Sequence, residues 1–347
     1  MFKQMMIGLL LAVNFGCDAP ATAPAEYEEI LGFLFEHMND DDDEALVDGL
    51  ENLYVWLEKS ENFGAASSGY QISNLKESVV DALDGEDRSA SGLKGISTIT
   101  KSRLFPEQIA GTLTWDGFAE VVEGNFSTYE RTFEEDSSCF TDRSCTAVQA
   151  SSHTVSKWAR VVEMDTRYTI QYRWVYTEYG WMMLHRFWLL EPAGGTLNVM
   201  MNANYYLGVL FSDGGRGSAD LSPALMSTAG GLIAGAGREL DEIKTVLNCP
   251  GSLRVHANWF NVDTGDIPFD DDQILDILIN TTKTDAQRID EWIETNPERV
   301  ATFLGSDWNE RLEGDNRQSC GAEREVSLDD RCDPSEGECE LMSSEVE

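Results

Sequence analysis

The sequence predicts an α+β protein, with a central antiparallel sheet flanked by N-terminal and C-terminal helices and followed by a disulfide-tied tail. Hydrophobic residues near both ends of the chain recur at helical spacing, and the period changes to two in the middle. The strongest alternation covers residues 167–176, where Tyr168, Ile170, Tyr172 and Trp174 share one face. A change of period within one chain indicates separate helical and strand segments.

Three helices are predicted before the sheet. The helical periodicity covers residues 26–38, 46–57 and 72–83, and the third helix ends at Gly85. Residues 60–69 are polar and small and are predicted to be a loop. The connector between the first two helices is short and acidic, so we expect these helices to form an antiparallel hairpin.

A meander of three strands forms the centre of the predicted sheet. Its strands cover residues 167–176, 181–190 and 197–207, and turns with glycine join them. Because short turns connect only antiparallel neighbours, the sheet is expected to be antiparallel. Three weaker strands are predicted before the meander, at residues 109–115, 125–133 and 155–164.

Helices are again predicted after the sheet. A long one is expected over residues 223–247, and shorter ones follow. Thr284 and Gln287 have the spacing of a capping box, and Gly305 supplies a helix stop. The shorter helices are expected at residues 270–279, 285–294 and 297–304.

These patterns divide the chain into six segments. In order, they are a leader (1–16), a tether (17–25), a helical segment (26–94), the antiparallel sheet (95–215), a second helical segment that packs on the sheet (216–313), and an acidic cysteine-containing tail (314–347).

The leader has the features of an export signal. Lys3 precedes a mostly apolar run from Met5 to Val13, which is too short to cross a bilayer. Gly16-Cys17 follows it and resembles the lipobox of bacterial lipoproteins, although Asn14 stands where leucine is usual. The resemblance implies acylation of Cys17 and a lipid anchor in the bacterial cell envelope, facing the periplasm or on the outer membrane or cell surface. The alternative is an ordinary secreted protein in which Cys17 is incidental.

The cysteine count fits the lipoprotein interpretation. Of seven cysteines, six remain when Cys17 is set aside, and export favours disulfides among them. Neighbours in sequence are the expected partners, and the other pairings stay open. The expected pairs are Cys139 with Cys145, Cys332 with Cys339, and Cys249 with Cys320. No metal site is predicted, since Cys-x-x-Cys is absent and the four histidines are scattered.

The charge balance limits the classes of partner. The chain carries 62 acidic and 25 basic residues, a formal net charge of −37, so nucleic acid is not expected as a partner because its phosphates require basic residues. Solubility is the favoured explanation of the acidic runs over divalent-cation binding. The runs at residues 40–44 and 270–272 lack the glycine of a calcium-binding loop.

Catalytic and cofactor motifs are not apparent. Phosphate-loop, dinucleotide-binding and nucleophile-elbow patterns are absent, and no cofactor is predicted. Ser73 and Ser91 each begin a Ser-x-x-Lys, but the partner motifs of β-lactam-recognising enzymes are missing. His185 lies in an apolar strand, where a hydrogen-bonded core histidine is favoured over a catalytic base. An enzyme is therefore the least favoured function.

The aromatic load of the meander leaves two functions open. The favoured one is a non-catalytic envelope lipoprotein with a structural or partner-binding role, in which helices cover both faces of the sheet. The alternative is a carrier of a hydrophobic ligand such as lipid, in a cavity of roughly 300–1,000 Å³ under the aromatic strands. Strands followed by the helix at 223–247 resemble the helix-grip lipid-binding folds in element order. The candidate lining residues are Tyr172, Trp174, Tyr176, Trp181, Phe187 and Tyr205.

Overall fold

The computed structural model describes residues 19–73, 75–85, 89–102, 104–123, 126–212, 251–305, 332–333 and 338–339. Within these residues a ten-stranded sheet has the order β1-β2-β3-β10-β9-β7-β6-β5-β4, and β8 pairs with β9. Its pairs are antiparallel except β1 with β2. The strands are β1 Ala21–Thr22, β2 Tyr70–Ile72, β3 Lys94–Ser102, β4 Phe126–Phe133, β5 Ala147–Trp158, β6 Val162–Thr177, β7 Gly180–Leu189, β8 Ala193–Gly194, β9 Met200–Ser212 and β10 Ser252–Asp263.

Helices lie before, within and after the strand sequence, so the predicted α+β class is confirmed. No described helix is long and apolar enough to span a bilayer. The helices are α1 Ala25–His37, α2 Glu44–Glu58, α3 Ser60–Ser68, α4 Glu77–Asp81, α5 Pro106–Thr114, α6 Phe118–Val121, α7 Ser138–Thr141, α8 Asp271–Thr295 and α9 Pro297–Leu304.

One face of the sheet, here called the filled face, packs against α1–α4. Burying apolar area in this way is the main favourable term in folding. Two arginines of the sheet tie the end of α1 to this face, since Arg186 donates to the carbonyl of Phe35 and Arg173 donates to that of Met38. The core of the filled face includes Tyr27, Leu31, Leu34, Phe35, Leu50, Leu53, Trp56, Leu184, Trp188, Tyr205, Leu207, Val209 and Trp259.

The opposite face, here called the cavity face, is covered by α5–α9. α8 crosses it beside β3 and contacts α5, α6 and α9. Asp270 and Gln273 form the capping box that begins α8. A second core fills the end of this face near α5 and α9, and it contains Ile109, Ala110, Phe140, Trp174, Met183, Leu210, Ile293, Val300 and Leu304.

Two of the predicted strands are wrong. Residues 109–115 form most of helix α5 rather than a strand, because Pro106 and Gln108 set up its first turn. The predicted strand at 155–164 is the hairpin between β5 and β6. Its turn has positive φ at Ala159 and Arg160 (46° and 64°). Neither residue is a typical turn residue, so the composition did not predict a turn there.

The boundaries of other helices also differ from expectation. The helices predicted at 270–279 and 285–294 are one continuous helix, α8; Thr284 lies inside it and donates to the carbonyl of Asn280. The predicted loop at 60–69 is mostly α3, and the predicted helix at 72–83 is reduced to α4 after strand β2. Helix α9 and its stop at Gly305, where φ is +90°, are confirmed.

The Cys139–Cys145 disulfide is present, in the loop between β4 and β5. Cys332 and Cys339 lie opposite each other in a short antiparallel pair of strands, β11 Cys332–Asp333 and β12 Glu338–Cys339. Cys249 and Cys320 lie outside the described residues, as does the helix predicted at 223–247.

Candidate ligand cavity

A cavity of about 370 Å³ lies between α8 and the cavity face of the sheet. The residues that α8 presents to it recur every three to four positions, so they form one stripe of the helix. Most of them are small or short, and they leave space between the helix and the strands. They are Leu278, Thr281, Thr282, Asp285, Ala286 and Ile289.

Three aromatic rings in contact form the wall of the cavity on the sheet, one pair edge-to-face and the other stacked. The ring centroids of Tyr168 and Phe187 are 5.1 Å apart, and those of Phe187 and Tyr206 are 4.6 Å apart and nearly parallel. The rings belong to β6, β7 and β9, which are neighbours in the sheet. This wall offers a continuous apolar surface to a ligand.

A second aromatic group closes the cavity near α5 and β4. Phe118, Phe126 and Tyr129 line it, with edge-to-face contacts of Tyr129 to both phenylalanines. Arg131 donates to the carbonyls of Leu113 and Trp115 at the end of α5. The same guanidinium also donates to the hydroxyl of Tyr172 at 3.1 Å and so fixes that ring at the cavity.

A row of mostly polar residues crosses the floor of the cavity. The pairing of the strands defines this row. Tyr172 on β6 lies opposite His185 on β7, which lies opposite Gly208 on β9. Gly208 in turn lies opposite His256 on β10, and His256 lies opposite Thr98 on β3. We call these five residues the polar row. Residues opposite each other in neighbouring strands share a face, so the row brings two imidazoles to one level of the cavity.

His256 is fully hydrogen-bonded within the protein. Its Nδ1 lies 2.6 Å from the hydroxyl of Tyr206, and its Nε2 lies 3.0 Å from Oγ1 of Thr100. Burial raises the pKa of Tyr206, and burial together with Arg254 lowers the pKa of His256 well below its ordinary value. The phenol therefore donates to Nδ1 of a neutral imidazole, whose Nε2–H donates to Thr100.

His185 differs from His256 in having no hydrogen-bond partner at Nδ1 among the described residues. The edge of its ring that carries Cε1 lies against Gly208, where a Cβ would come within 2.2 Å of Cε1. The rings of Tyr172 and Tyr206 flank it at 5.9 and 5.2 Å between centroids. Burial, together with the guanidinium of Arg254, lowers the pKa of His185 to about 4, so the imidazole is neutral near pH 7.

The charged groups at the cavity are balanced. Arg254 is buried and its Nη2 lies 2.6 Å from Oδ1 of Asp290, so this cation is paired inside the protein. Asp285 also lines the cavity, and burial raises its pKa, opposed by Arg288 and Arg160. Lys157 also lines the cavity, as an exposed side chain on β5 that pairs in register with Glu163, nine residues along β6 from Tyr172.

The structure separates the residues that the sequence suggested as ligand lining. Tyr172 and Phe187 line the cavity. Trp174 is buried beyond its end and donates to the carbonyl of Phe140. Tyr176 is 63% exposed, and its ring meets that of Trp181 away from the cavity.

Tyr205 lies in the core of the filled face, and its neighbour Tyr206 faces the cavity instead. The reason is a bulge in β9. Met201 pairs with Val262 and Ala203 pairs with Asn261, so Asn202 is an extra residue. An extra residue in a strand moves every later side chain to the other face.

Strand β10 supplies further cavity residues that were not expected from the sequence. Arg254, His256 and Asn258 face the cavity, while Val255 and Trp259 join the filled core. The alternation was present in the sequence as a signal for a strand. The segment at 216–313 was predicted to be helical, and no strand was predicted within it, whereas residues Ser252–Asp263 form β10 in the middle of the sheet.

Other parts of the described chain offer weaker sites. A crevice of about 330 Å³ between the α1–α2 connector and β5–β6 is lined by polar and acidic residues that include Asn39, Glu134 and Glu135. Its arginine, Arg173, already binds Asp43 and the backbone of the connector. Within the described residues no three His, Cys, Asp or Glu side chains are grouped as metal ligands require.

Comparison with known proteins gives no family assignment. No family model and no curated protein matches the chain. Among solved structures, it is similar to a STAR-related lipid transfer protein from Xanthomonas axonopodis, at 11% identity and a TM-score of 0.33, over 61% of this chain and 97% of that one.

Two further solved structures have similar scores. Human STARD10 aligns at 10% identity and a TM-score of 0.32, over 64% of this chain and 75% of that one. Ara h 8.0201 aligns at 10% identity and a TM-score of 0.27, over 59% of this chain and all of that one (100%). Scores this low carry no functional argument, and the function proposed below depends on the cavity.

Proposed function

We propose that this protein binds a hydrophobic ligand in the cavity between α8 and the sheet. The observation that carries the proposal is the cavity itself, about 370 Å³ with an aromatic wall. This volume lies within the roughly 300–1,000 Å³ range of small-molecule sites, and such sites combine an apolar lining with a few polar groups. A purely structural role for the sheet would not require an unfilled space at this position.

We place this binding activity in the bacterial cell envelope, with Cys17 as the lipid anchor. The support is the sequence of the leader, since residue 17 lies outside the described residues. Replacing the thiol removes the acylation site, so Cys17→Ser is expected to release the chain from membranes and abolish its labelling by palmitate. Membrane association that persists with unchanged labelling would contradict the anchor without affecting the cavity.

Native mass spectrometry of the full-length chain tests the binding function. We expect the purified protein to retain an apolar molecule. Ala286→Phe places a ring from α8 into the cavity and is expected to abolish retention. Gln287→Phe is the matched control, because the same ring is introduced at the next, exposed position of the same helix.

The proposal fails if the wild-type chain carries no ligand and takes up none of a panel of single-chain lipids. It also fails if Ala286→Phe and Gln287→Phe retain the same amount of ligand, since retention would then occur elsewhere. Thermal unfolding of both variants shows whether the fold has survived the substitution.

A further inference from the structure

Three side chains of the polar row line the cavity, those of Tyr172, His185 and His256, and of these only His185 has a buried polar atom without a partner among the described residues. Of the two imidazoles, that of His256 is bonded at both nitrogens. His185 lines the cavity, and its Nδ1 is shielded and has no partner among the described residues. A ligand therefore reaches this ring through Nε2.

The tautomer of His185 follows from the cost of burying an unpaired donor. A shielded N–H without an acceptor is rarer in proteins than an acceptor without a donor. The shielded Nδ1 is therefore the nitrogen without hydrogen, and the proton of the neutral ring lies on Nε2. This N–H donates, so the ligand atom that meets it is an acceptor.

Charge decides which kind of acceptor fits. A carboxylate that enters an apolar cavity loses its hydration and requires a cation in return. Arg254 is already paired with Asp290 at 2.6 Å, and the carboxyl group of Asp285 lines the same cavity. Lys157, the other cation of the lining, is exposed and lies opposite Glu163, nine residues along β6 from the residue that pairs with His185. An uncharged oxygen, in a hydroxyl or carbonyl group, satisfies Nε2–H without that cost.

We propose that the ligand is an uncharged amphiphile whose single oxygen accepts a hydrogen bond from Nε2 of His185, with its hydrocarbon part along the wall of Tyr168, Phe187 and Tyr206. This inference depends on the proposed binding function and names its ligand class. The cavity volume is at the low end for ligand sites, which favours one chain or a compact ring system over a two-chain lipid.

Competition between probes of similar length tests the ligand class. The full-length chain is loaded with the uncharged dye phenylnaphthylamine, which dodecanol, methyl decyl ketone, dodecane or dodecanoate then displaces. The alcohol and the ketone are expected to displace it at roughly threefold to tenfold lower concentration than dodecane, the value of one neutral hydrogen bond. Dodecanoate is expected to be weaker than both.

Variants assign the preference to His185. His185→Phe keeps an aromatic ring without nitrogen, so the advantage of the alcohol and ketone over dodecane should disappear while dodecane binds as before. His153→Phe is the matched control, since His153 does not line the cavity and pairs with Asp165. Gly208→Ala should reproduce the effect of His185→Phe, because its Cβ displaces the imidazole.

The outcomes separate the two proposals. If dodecanoate is the best competitor, or if dodecane equals the alcohol and ketone, the ligand class is wrong and the binding function stands. If His185→Phe retains the wild-type preference, the assignment to His185 is overturned. If neither the dye nor any probe binds, the proposed function itself fails.

Discussion

On the filled face of the sheet, α1–α4 bring Leu31, Leu34 and Phe35 into contact with the strands, and the space between the layers is occupied. On the cavity face, α8 covers the same strands and leaves about 370 Å³. The two faces belong to one sheet and alternate residue by residue along each strand. Their difference therefore comes from the side chains, not from the backbone of the strands.

The side chains explain why only one face is filled. The facing positions of α8 include Thr281, Thr282 and Ala286, which are too short to reach the sheet. On the strands, the polar row crosses the sheet at Gly208. Its members occupy positions where bulky apolar residues would otherwise pack. Protein interiors normally pack at high density, and the unfilled layer with polar groups in its floor is the observation on which the proposed binding function depends.

The largest difference is expected when one substitution is made on each face. Phe35→Ala removes a fully buried ring that contacts Tyr205 and Trp259, and we expect a loss of about 3–5 kcal/mol in the free energy of unfolding. Phe187 is half-buried in the wall of the cavity, so its removal takes less packing with it and the expected loss is smaller than that of Phe35→Ala. Urea unfolding measures both. Equal losses would show that the two faces are packed alike.

The ion pair beneath α8 should have the next largest effect. Arg254→Leu leaves the carboxylate of Asp290 without its buried partner and is expected to cost about 3 kcal/mol of unfolding free energy. The double variant with Asp290→Leu should recover most of this loss, since no buried charge remains. A double variant as unstable as the single one would mean that packing, not charge, fixes α8 here.

Acid should weaken the cavity face first. The pKa of His185 is lowered from 6.5 to about 4 in the folded chain, so between these values the unfolded state binds more protons. Unfolding free energy should therefore rise with pH from about 4 to 6.5, by at most about 3 kcal/mol from this residue.

His185→Phe isolates this contribution to the pH dependence. Unfolding of the wild type and the variant is compared across the same pH range, and the variant should show a shallower slope. His256 and Arg254 face the ring in both proteins, so their contributions largely cancel. Parallel slopes would mean that His185 titrates normally.

The disulfide at the end of the cavity face should have the smallest effect. It closes a short loop between Cys139 and Cys145, and loop-closure entropy gives about 2 kcal/mol for a loop of this length. The double variant Cys139→Ser and Cys145→Ser should lower the unfolding free energy by that amount. The filled face should keep its protection from hydrogen exchange. A loss of protection in α1 would show that the disulfide supports both faces.

Local patterns were enough for part of the fold. Tyr168, Ile170 and Tyr172 alternate without interruption, so the sequence predicted their strand and their common face. Pro297 and Gly305 delimit α9 in the sequence as in the structure. Ile109 was assigned to a strand, although Pro106 and Gln108 are signals for the start of a helix. In that prediction the β-branched residues of the segment outweighed the helix-start signal.

The candidate site was less accessible to sequence analysis. Tyr206 was missed because one bulge at Asn202 reverses the faces of β9, and a bulge leaves no mark in a hydrophobic pattern. His256 was missed because its partners, Tyr206 and Thr100, come from distant parts of the chain. Contacts of this kind depend on strand order, which periodicity does not contain.

The sequence by itself determined the α+β class, the central meander, the loop disulfide and the prediction of an exported, lipid-anchored chain. Each of these depends on neighbours in sequence: a period, a turn or a spacing. Only the tertiary structure decided that α8 covers the cavity and that Tyr205 packs in a core while Tyr206 faces the cavity. The physical reason is that register and the distance between layers are set by side chains far apart in the chain.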